Sequence, residues 1–422
     1  MKKSSHPLEI SLGMEYYVTD TQGTGGNLRS SPEDFVVEEI PCEVGEEGRF
    51  LICQLTKKDW EQQRAVREVA KKLGISHRRI GWGGTKDKHA LTRQLISIYD
   101  VTPEDIERLN IKDINLEVMG RSKSALSLGS HLGNRFRITI RNTSADDLPN
   151  QVELVTAACR EGVPNYYGIQ RFGVIRPITH LVGEYILLGD YEGAVCCYVG
   201  RACPGEPSEV QEARTLFMER RDPVEALHHL PVPLSYERTL LHHLSSRPGD
   251  YKGALLVLPP KLLSMFVSAF QSFLFNKALS ARIEEGRELN IPSPGDRLIF
   301  EGGREDRVTT GNMRGAMEQC KRGRCRIAIF MQGSRPFSPI GPDDTTMASL
   351  MEMHGITPEH FRQASEYVKT RFEGAFRPVS LSTDISTEIN GKDLSLAFSL
   401  PPGQYATTIC REFMKADPIA MI

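Results

Sequence analysis

Gly81 to Tyr99 reads G-W-G-G-T-K-D-K-H-A-L-T-R-Q-L-I-S-I-Y. Three glycines in four positions do not suit a regular helix or strand, because glycine loses more backbone freedom there than any other residue. The spacing predicts a tight loop. From Thr92 onward the composition changes: Thr92, Leu95, Ile96, Ile98 and Tyr99 are the β-branched, aliphatic and aromatic residues of a buried strand. A carboxylate between two lysines, Lys86-Asp87-Lys88, therefore falls at the lip of a strand. The glycines let backbone or ligand come close to Asp87, which a solvated surface turn does not need.

Working outward toward the N-terminus, Phe35-Val36-Val37 and Phe50-Leu51-Ile52 read as short strands, the first introduced by the turn-forming Ser31-Pro32. Asp59 is the expected N-cap of a helix in which Ala65, Val66, Val69, Ala70 and Leu73 recur at helical spacing until Gly74 closes it. Toward the C-terminus, Asn134 to Arg141 alternates with a period of two. Phe136, Ile138 and Ile140 share one face, and Arg135, Arg137, Thr139 and Arg141 share the other. The expectation is that the first face packs and the second meets phosphate. A helix follows from about 148 to 160. From 177 to about 288 nearly everything reads as helix, with Leu263, Phe266, Val267, Phe270, Phe273, Leu274 and Ala278 at 3.6-type spacing in the longest segment. Asn390-Gly391 is a favoured hairpin turn between two final strands. Strand-and-helix composition thus gives way to helix and then returns, which places an inserted domain at about 164–376 within a discontinuous domain of 1–163 and 377–422.

A chain of 422 residues, 40% of them hydrophobic, buries a large core and exceeds the usual size of one domain. No run of about 18 apolar residues and no N-terminal apolar segment is present, so neither a membrane span nor a signal peptide is expected, and the expected location is the cytoplasm. Nine cysteines are too sparse for a disulfide scaffold, and Cys320-x4-Cys325 lacks the second ligand pair of a structural zinc site. The net charge of −2 hides a local excess: from Lys57 to Arg93 eleven Lys or Arg face four acids, and from Arg121 to Arg141 five face none. Basic charge gathers around the K-D-K loop, and a polyanion is the expected partner. G-G-T-K reverses the order of a P-loop's G-K-[ST], so nucleotide binding is not expected there.

The loop G-W-G-G-T-K-D-K with T-R-Q after it resembles the signature of the TruD family of tRNA pseudouridine synthases. Four further stretches agree with that family in the same order: Ser31 to Pro41 (S-P-E-D-F-V-V-E-E-I-P), Gly133 to Phe136 (G-N-R-F), Asn165 to Gly173 (N-Y-Y-G-I-Q-R-F-G) and Pro402 to Phe413 (P-G-Q-Y-A-T-T-I-C-R-E-F). The resemblance implies an α+β fold, a catalytic core on a mixed β-sheet with an inserted, mainly helical TRUD domain. It implies isomerisation of uridine to pseudouridine in tRNA, at position 13 in the D arm, with one catalytic aspartate and neither metal nor cofactor. Asp87 matches that aspartate. Phe35, Phe136 and Tyr405 match pocket aromatics, and Asn134 matches an amide that reads the uracil edge. Lys86 and Lys88 flank Asp87 on an extended segment and point away from it, so the cation that pairs with Asp87 is expected elsewhere, at Arg411 of the R-E-F block. Arg78, Arg79, Lys88, Arg93, Arg135 and Arg137 are the expected contacts to RNA backbone. No obligate protein partner is evident. A non-catalytic RNA-binding protein is the alternative, although an Asp amid such a basic surface repels phosphate.

Overall fold

Leu91–Tyr99 forms the strand expected after the glycine loop, in an eight-stranded sheet. The computed structural model describes every residue except Leu128, Phe337 and Ile422. The strands are β1 (Phe35–Ile40), β2 (Phe50–Lys58), β3 (Ile80–Trp82), β4 (Leu91–Tyr99), β5 (Ile114–Ser122), β6 (Gly133–Ile140), β7 (Ile385–Asn390) and β8 (Asp393–Leu400). Their order is β7-β8-β6-β1-β4-β2-β5, with the short β3 also paired to β4. Only β1 and β4 run parallel; every other pairing is antiparallel.

Period-two alternation gives this sheet two unlike faces. In register, Val37 lies opposite Phe136 and Glu39 opposite Asn134. Lys57 lies opposite Thr92, and Cys53 opposite Ile96. That face is buried along most of its extent, through Leu51, Cys53 and Leu55 of β2, Ile96 and Ile98 of β4, Phe136, Ile138 and Ile140 of β6, and Leu394, Leu396 and Phe398 of β8. Helix α1 (Gln62–Lys72) packs Val66, Val69 and Ala70 on the β2–β4 part of it. Its N-cap is Glu61, whose carboxylate accepts the Gln63 and Arg64 amides, and not Asp59. Asp59 is in a left-handed turn (φ 56°) and pairs with His89 instead. Helix α2 (Leu148–Glu161) packs against β7, and α3 (Ala406–Met414) packs against α2. The other face carries Arg93, Glu38, Arg135 and Ser399 in one row across four strands, with Arg137 beside Val36 and Ala397 in the next.

This sheet belongs to a unit of Val18–Gly162 and Ser382–Ile422. A second unit comprises Met1–Tyr17 and Val163–Leu381, against the expected insertion of 164–376. The first seventeen residues belong with it because their short helix Pro7–Ser11 and the turn after it are tied to the long helix Pro260–Glu284. Asn276 donates to Leu12 O at 3.1 Å, Lys277 to Ile10 O at 3.1 Å and Ser280 to Gly13 O at 2.7 Å. Residues 174–258 form six helices, from Thr179–Leu188 to Tyr251–Leu256. Among the described residues Pro260–Glu284 is the one helix long and apolar enough to cross a membrane, yet 72% of its apolar window is buried inside the protein.

The two faces of the sheet differ in what substitution costs. Ile96→Ala, at a fully buried position of β4, is expected to destabilise the protein by about 2–5 kcal/mol through lost burial and the cavity left behind. Arg137→Ala, on the exposed face, is expected to stay within about 0.5 kcal/mol of wild type. Urea unfolding of the two variants checks both.

Candidate active site

The glycine loop is held open by close packing and not by unusual dihedrals: none of Gly81, Gly83 and Gly84 has a positive φ. A Cβ on Gly81 would lie 2.4 Å from Leu126 O, so only glycine fits against the passing chain. Gly83 O accepts the Gly129 amide at 2.8 Å and lies 3.2 Å from His131 Nδ1. Gly84 O accepts the Gln94 side-chain amide at 3.1 Å. Beyond these anchors the K-D-K residues part, as an extended segment requires. Lys86 turns inward and donates to Glu39 at 2.8 Å, with 5% and 3% of the two side chains exposed. Asp87 turns outward, its side chain 53% exposed, and Lys88 is exposed. The main chain of Asp87 is fixed from β2, where Lys57 Nζ donates to Asp87 O at 2.8 Å and to Trp60 O at 2.7 Å. Burial lowers the Lys57 pKa to about 8, against the pull of the Asp87 and Glu61 carboxylates.

The Asp87 carboxylate is paired with Arg29, whose Nη2 stands 2.9 Å from Oδ2. The Arg29 side chain is only 11% exposed, and its guanidinium lies over the Phe35 ring, 4.2 Å from the centroid. Phe35 meets Phe136 edge to face at 6.4 Å, and Phe136 stacks on Phe398 at 5.5 Å. A line of contacts thus runs from Asp87 through Arg29 to three buried rings on one face of the sheet. The S-P-E-D-F segment sets the turn that presents Arg29. Asp34, 2% exposed, accepts the Ser31 amide at 2.9 Å and the Arg141 guanidinium, whose Nε is 2.9 Å away. Arg141 also reaches Asp393 at 2.6 Å.

Several sequence expectations change here. The cation on Asp87 is Arg29 and not Arg411: Arg411 is buried in α3, 3.7 Å from Glu412. Arg79, expected on RNA, is folded back onto main-chain carbonyls, with Nε 2.9 Å from Tyr99 O and Nη2 2.7 Å from Asp100 O. Arg141 is held by two carboxylates. Arg93, Arg135 and Arg137 are exposed, but period two sets them on the sheet face opposite the one from which Lys57 and Phe35 serve Asp87. Arg78 and Lys88 are exposed near the loop. Phe35 is 1% exposed, so it supports the site from within, whereas Tyr405, the N-cap residue of α3, is 36% exposed. Asn134 shares the Phe136 face, and its Oδ1 is buried without a hydrogen bond from any described residue.

Arg29, Glu39 and Lys57 escaped the sequence reading. Two of them carried a signal: Glu39 follows Phe35 and Val37, and Lys57 follows Leu51, Cys53 and Leu55, each at the buried phase of a strand. Among the described residues no group of three His, Cys, Asp or Glu side chains is placed to hold a metal ion.

The chain matches the family model described as tRNA pseudouridine synthase D (TruD) over residues 11–413. It is 39% identical to the "Probable tRNA pseudouridine synthase D" of Methanococcoides burtonii, with 98% of each chain covered. With the protein of the same description from Pyrococcus furiosus it shares 38% identity, over 94% of this chain and 98% of the other. A crystal structure described as the putative tRNA pseudouridine synthase D from Methanosarcina mazei superposes with a TM-score of 0.84 at 37% identity, covering 99% of this chain and 100% of that one. With its signature loop built around an outward-facing Asp87 and the match running nearly end to end, the chain belongs to the TruD family of tRNA pseudouridine synthases.

Proposed function

We propose that this enzyme isomerises one uridine of tRNA, uridine 13 in the D arm, with Asp87 as its catalytic carboxylate and without cofactor or metal. The sheet unit is assigned as the catalytic domain and the helical unit as the family-specific insertion; the proposed location is the cytoplasm. The observation that carries the reading is the Arg29–Asp87 pair, a half-exposed carboxylate held by a nearly buried guanidinium. In the reaction the N1–C1′ bond breaks, a C5–C1′ bond forms, and the proton lost from C5 is balanced by one gained at N1. No electron leaves the substrate, and a single carboxylate suffices as nucleophile or electrostatic partner.

The target base must leave the RNA stack to reach Asp87, at a cost of a few kcal/mol. As the base covers the site, the carboxylate loses water, which favours its neutral form. Arg29 opposes this because a guanidinium stays charged and its charge is already in place. Tyr405, the exposed ring, is proposed to stack on the uracil, an interaction that returns roughly 1–3 kcal/mol. Asn134 Oδ1 is proposed to accept the uracil N3–H, which suits an acceptor with no donor among the described residues. For the RNA backbone we propose Lys88, Arg78 and the outer face of α1, where Lys71 and Lys72 are exposed.

Asp87→Asn is expected to reduce pseudouridine formation by more than about 10³-fold while tRNA affinity is kept or tightened, since a charge that repels phosphate is gone. Release of tritium from tRNA labelled at uracil C5 measures it, and substantial turnover by this variant would exclude Asp87. Arg29→Met is expected to lower single-turnover rate at saturating tRNA by roughly 10- to 100-fold, the worth of a charged hydrogen bond. A loss confined to affinity would make Arg29 a phosphate contact. In a salt series, Lys88→Gln and Arg78→Gln should each flatten the dependence of log affinity on log salt by about 0.7 to 0.9, and Arg137→Gln should leave it unchanged. The reverse pattern would place the RNA on the other face of the sheet.

A further inference from the structure

Lys57 has no part in the reaction as set out above, yet its surroundings are unlike those of an ordinary strand lysine. It occupies the buried face of β2, where Leu51, Cys53 and Leu55 precede it at every second position, and it is 0% exposed. Its hydrogen bonds go to two main-chain carbonyls, Trp60 O at 2.7 Å and Asp87 O at 2.8 Å. Among the described residues no carboxylate lies within ion-pair distance of it. An ammonium taken out of water without a directly bonded counter-ion is expensive, and methionine would fill a similar volume without that cost. What the lysine supplies and methionine cannot is a charged donor aimed at the peptide of Asp87.

We propose that Lys57 is a positioning residue of the isomerisation, its ammonium clamping the Asp87 peptide to β2 so that the carboxylate meets the flipped base at a fixed height. The inference rests on Asp87 being the catalytic carboxylate. A charge-assisted bond is roughly twice as strong as a neutral one, so the clamp is tight while Lys57 is protonated and slack once it is not. The groups around it are Asp87 and Lys86 from the loop, Glu61 at the α1 cap and Asp59 in the turn before it. The three acids favour the ammonium, while burial and Lys86 oppose it, with burial the larger effect. The resulting pKa of about 8 puts the change within reach of an ordinary pH series. As pH rises through that value the ammonium loses its proton, the bond to Asp87 O weakens and turnover falls.

The test compares wild type with Lys57→Met in single-turnover reactions on saturating tRNA between about pH 6.5 and 9.5. At the acid end wild type is expected to be faster by about 10- to 100-fold, since a small misplacement of a catalytic group costs this much. tRNA affinity should differ by no more than about two-fold, because Lys57 is out of reach of RNA. The advantage of wild type should then shrink as pH passes about 8. Ionisation of the uracil itself affects both proteins alike and cancels in the ratio. A ratio that is constant with pH, or a loss that appears in affinity alone, overturns the proposal. Should Lys57→Met not fold, wild type alone decides: a turnover rate that stays flat from pH 7 to 9.5 overturns it, and a decline centred near pH 8 supports it. Asp87→Asn, assayed in parallel, separates the two readings. If that variant is active, the assignment of Asp87 fails; if it is inactive while the ratio is constant, only the role of Lys57 fails.

Discussion

The direction in which Asp87 points depends on Lys86 turning inward to Glu39. Both charges have been taken out of water, at an effective penalty of several kcal/mol per ion, and the direct contact at 2.8 Å recovers much of that but leaves little net stability. Its value lies in register. If the loop slipped by one residue, Asp87 would face Glu39 in a dry interior, two carboxylates where one cation is needed. That arrangement is far more costly than any alternative path of the loop. The K-D-K sequence therefore looks symmetric but is not: one lysine anchors the loop, the aspartate is presented to solvent, and the second lysine is exposed beside it.

Arg29 meets a different requirement, which is to hold a carboxylate that is half exposed. A planar guanidinium can stack on Phe35 through its face and donate to Asp87 through its edge at the same time, and lysine can do only the second. The backbone of Arg29 is left-handed, φ 57°, a conformation that is unfavourable for a residue with a side chain. That strain is sustained by its surroundings, with Leu28 donating to Ala420 O at 2.9 Å and the Asp34–Arg141 pair fixing the turn that follows. Backbone strain of this kind persists only where the surrounding structure over-determines it, and such positions cluster at ligand clamps and switch segments.

The strands and helices of the sheet unit were legible because period-two and 3.6-residue patterns are local, and so was the return of the chain to the sheet after the helical segment. The K-D-K loop was legible from composition. What the alternation of Phe136, Ile138 and Ile140 with Arg135 and Arg137 could not tell is which face of the sheet lies toward Asp87, since either face of such a strand satisfies the pattern. That depends on the register of β6 against β1, through Val37 opposite Phe136, and it sets Arg135 and Arg137 on the face away from Phe35 and Lys57. The pairing of Asp87 was illegible for a related reason. Arg29 lies 58 residues away in an irregular turn with no periodicity, and only the folded chain brings the two together. Glu39 and Lys57 were readable in principle, as charges at the apolar phase of a strand, a pattern that asks for a buried partner.

A chain with a net charge of −2 still attracts RNA because charges beyond about 8–10 Å are screened at physiological salt, so a phosphate responds to its neighbours and not to the total. Near the loop the acids are largely occupied: Glu61 caps α1, Asp59 pairs with His89, and Asp87 is paired with Arg29. Arg64, Arg67, Lys71, Lys72, Arg78 and Lys88 remain exposed on the same part of the unit. Capping and pairing thus do more than stabilise helix and loop. They offset negative charge beside the K-D-K loop, so that the exposed cations around it set the local field a polyanion meets.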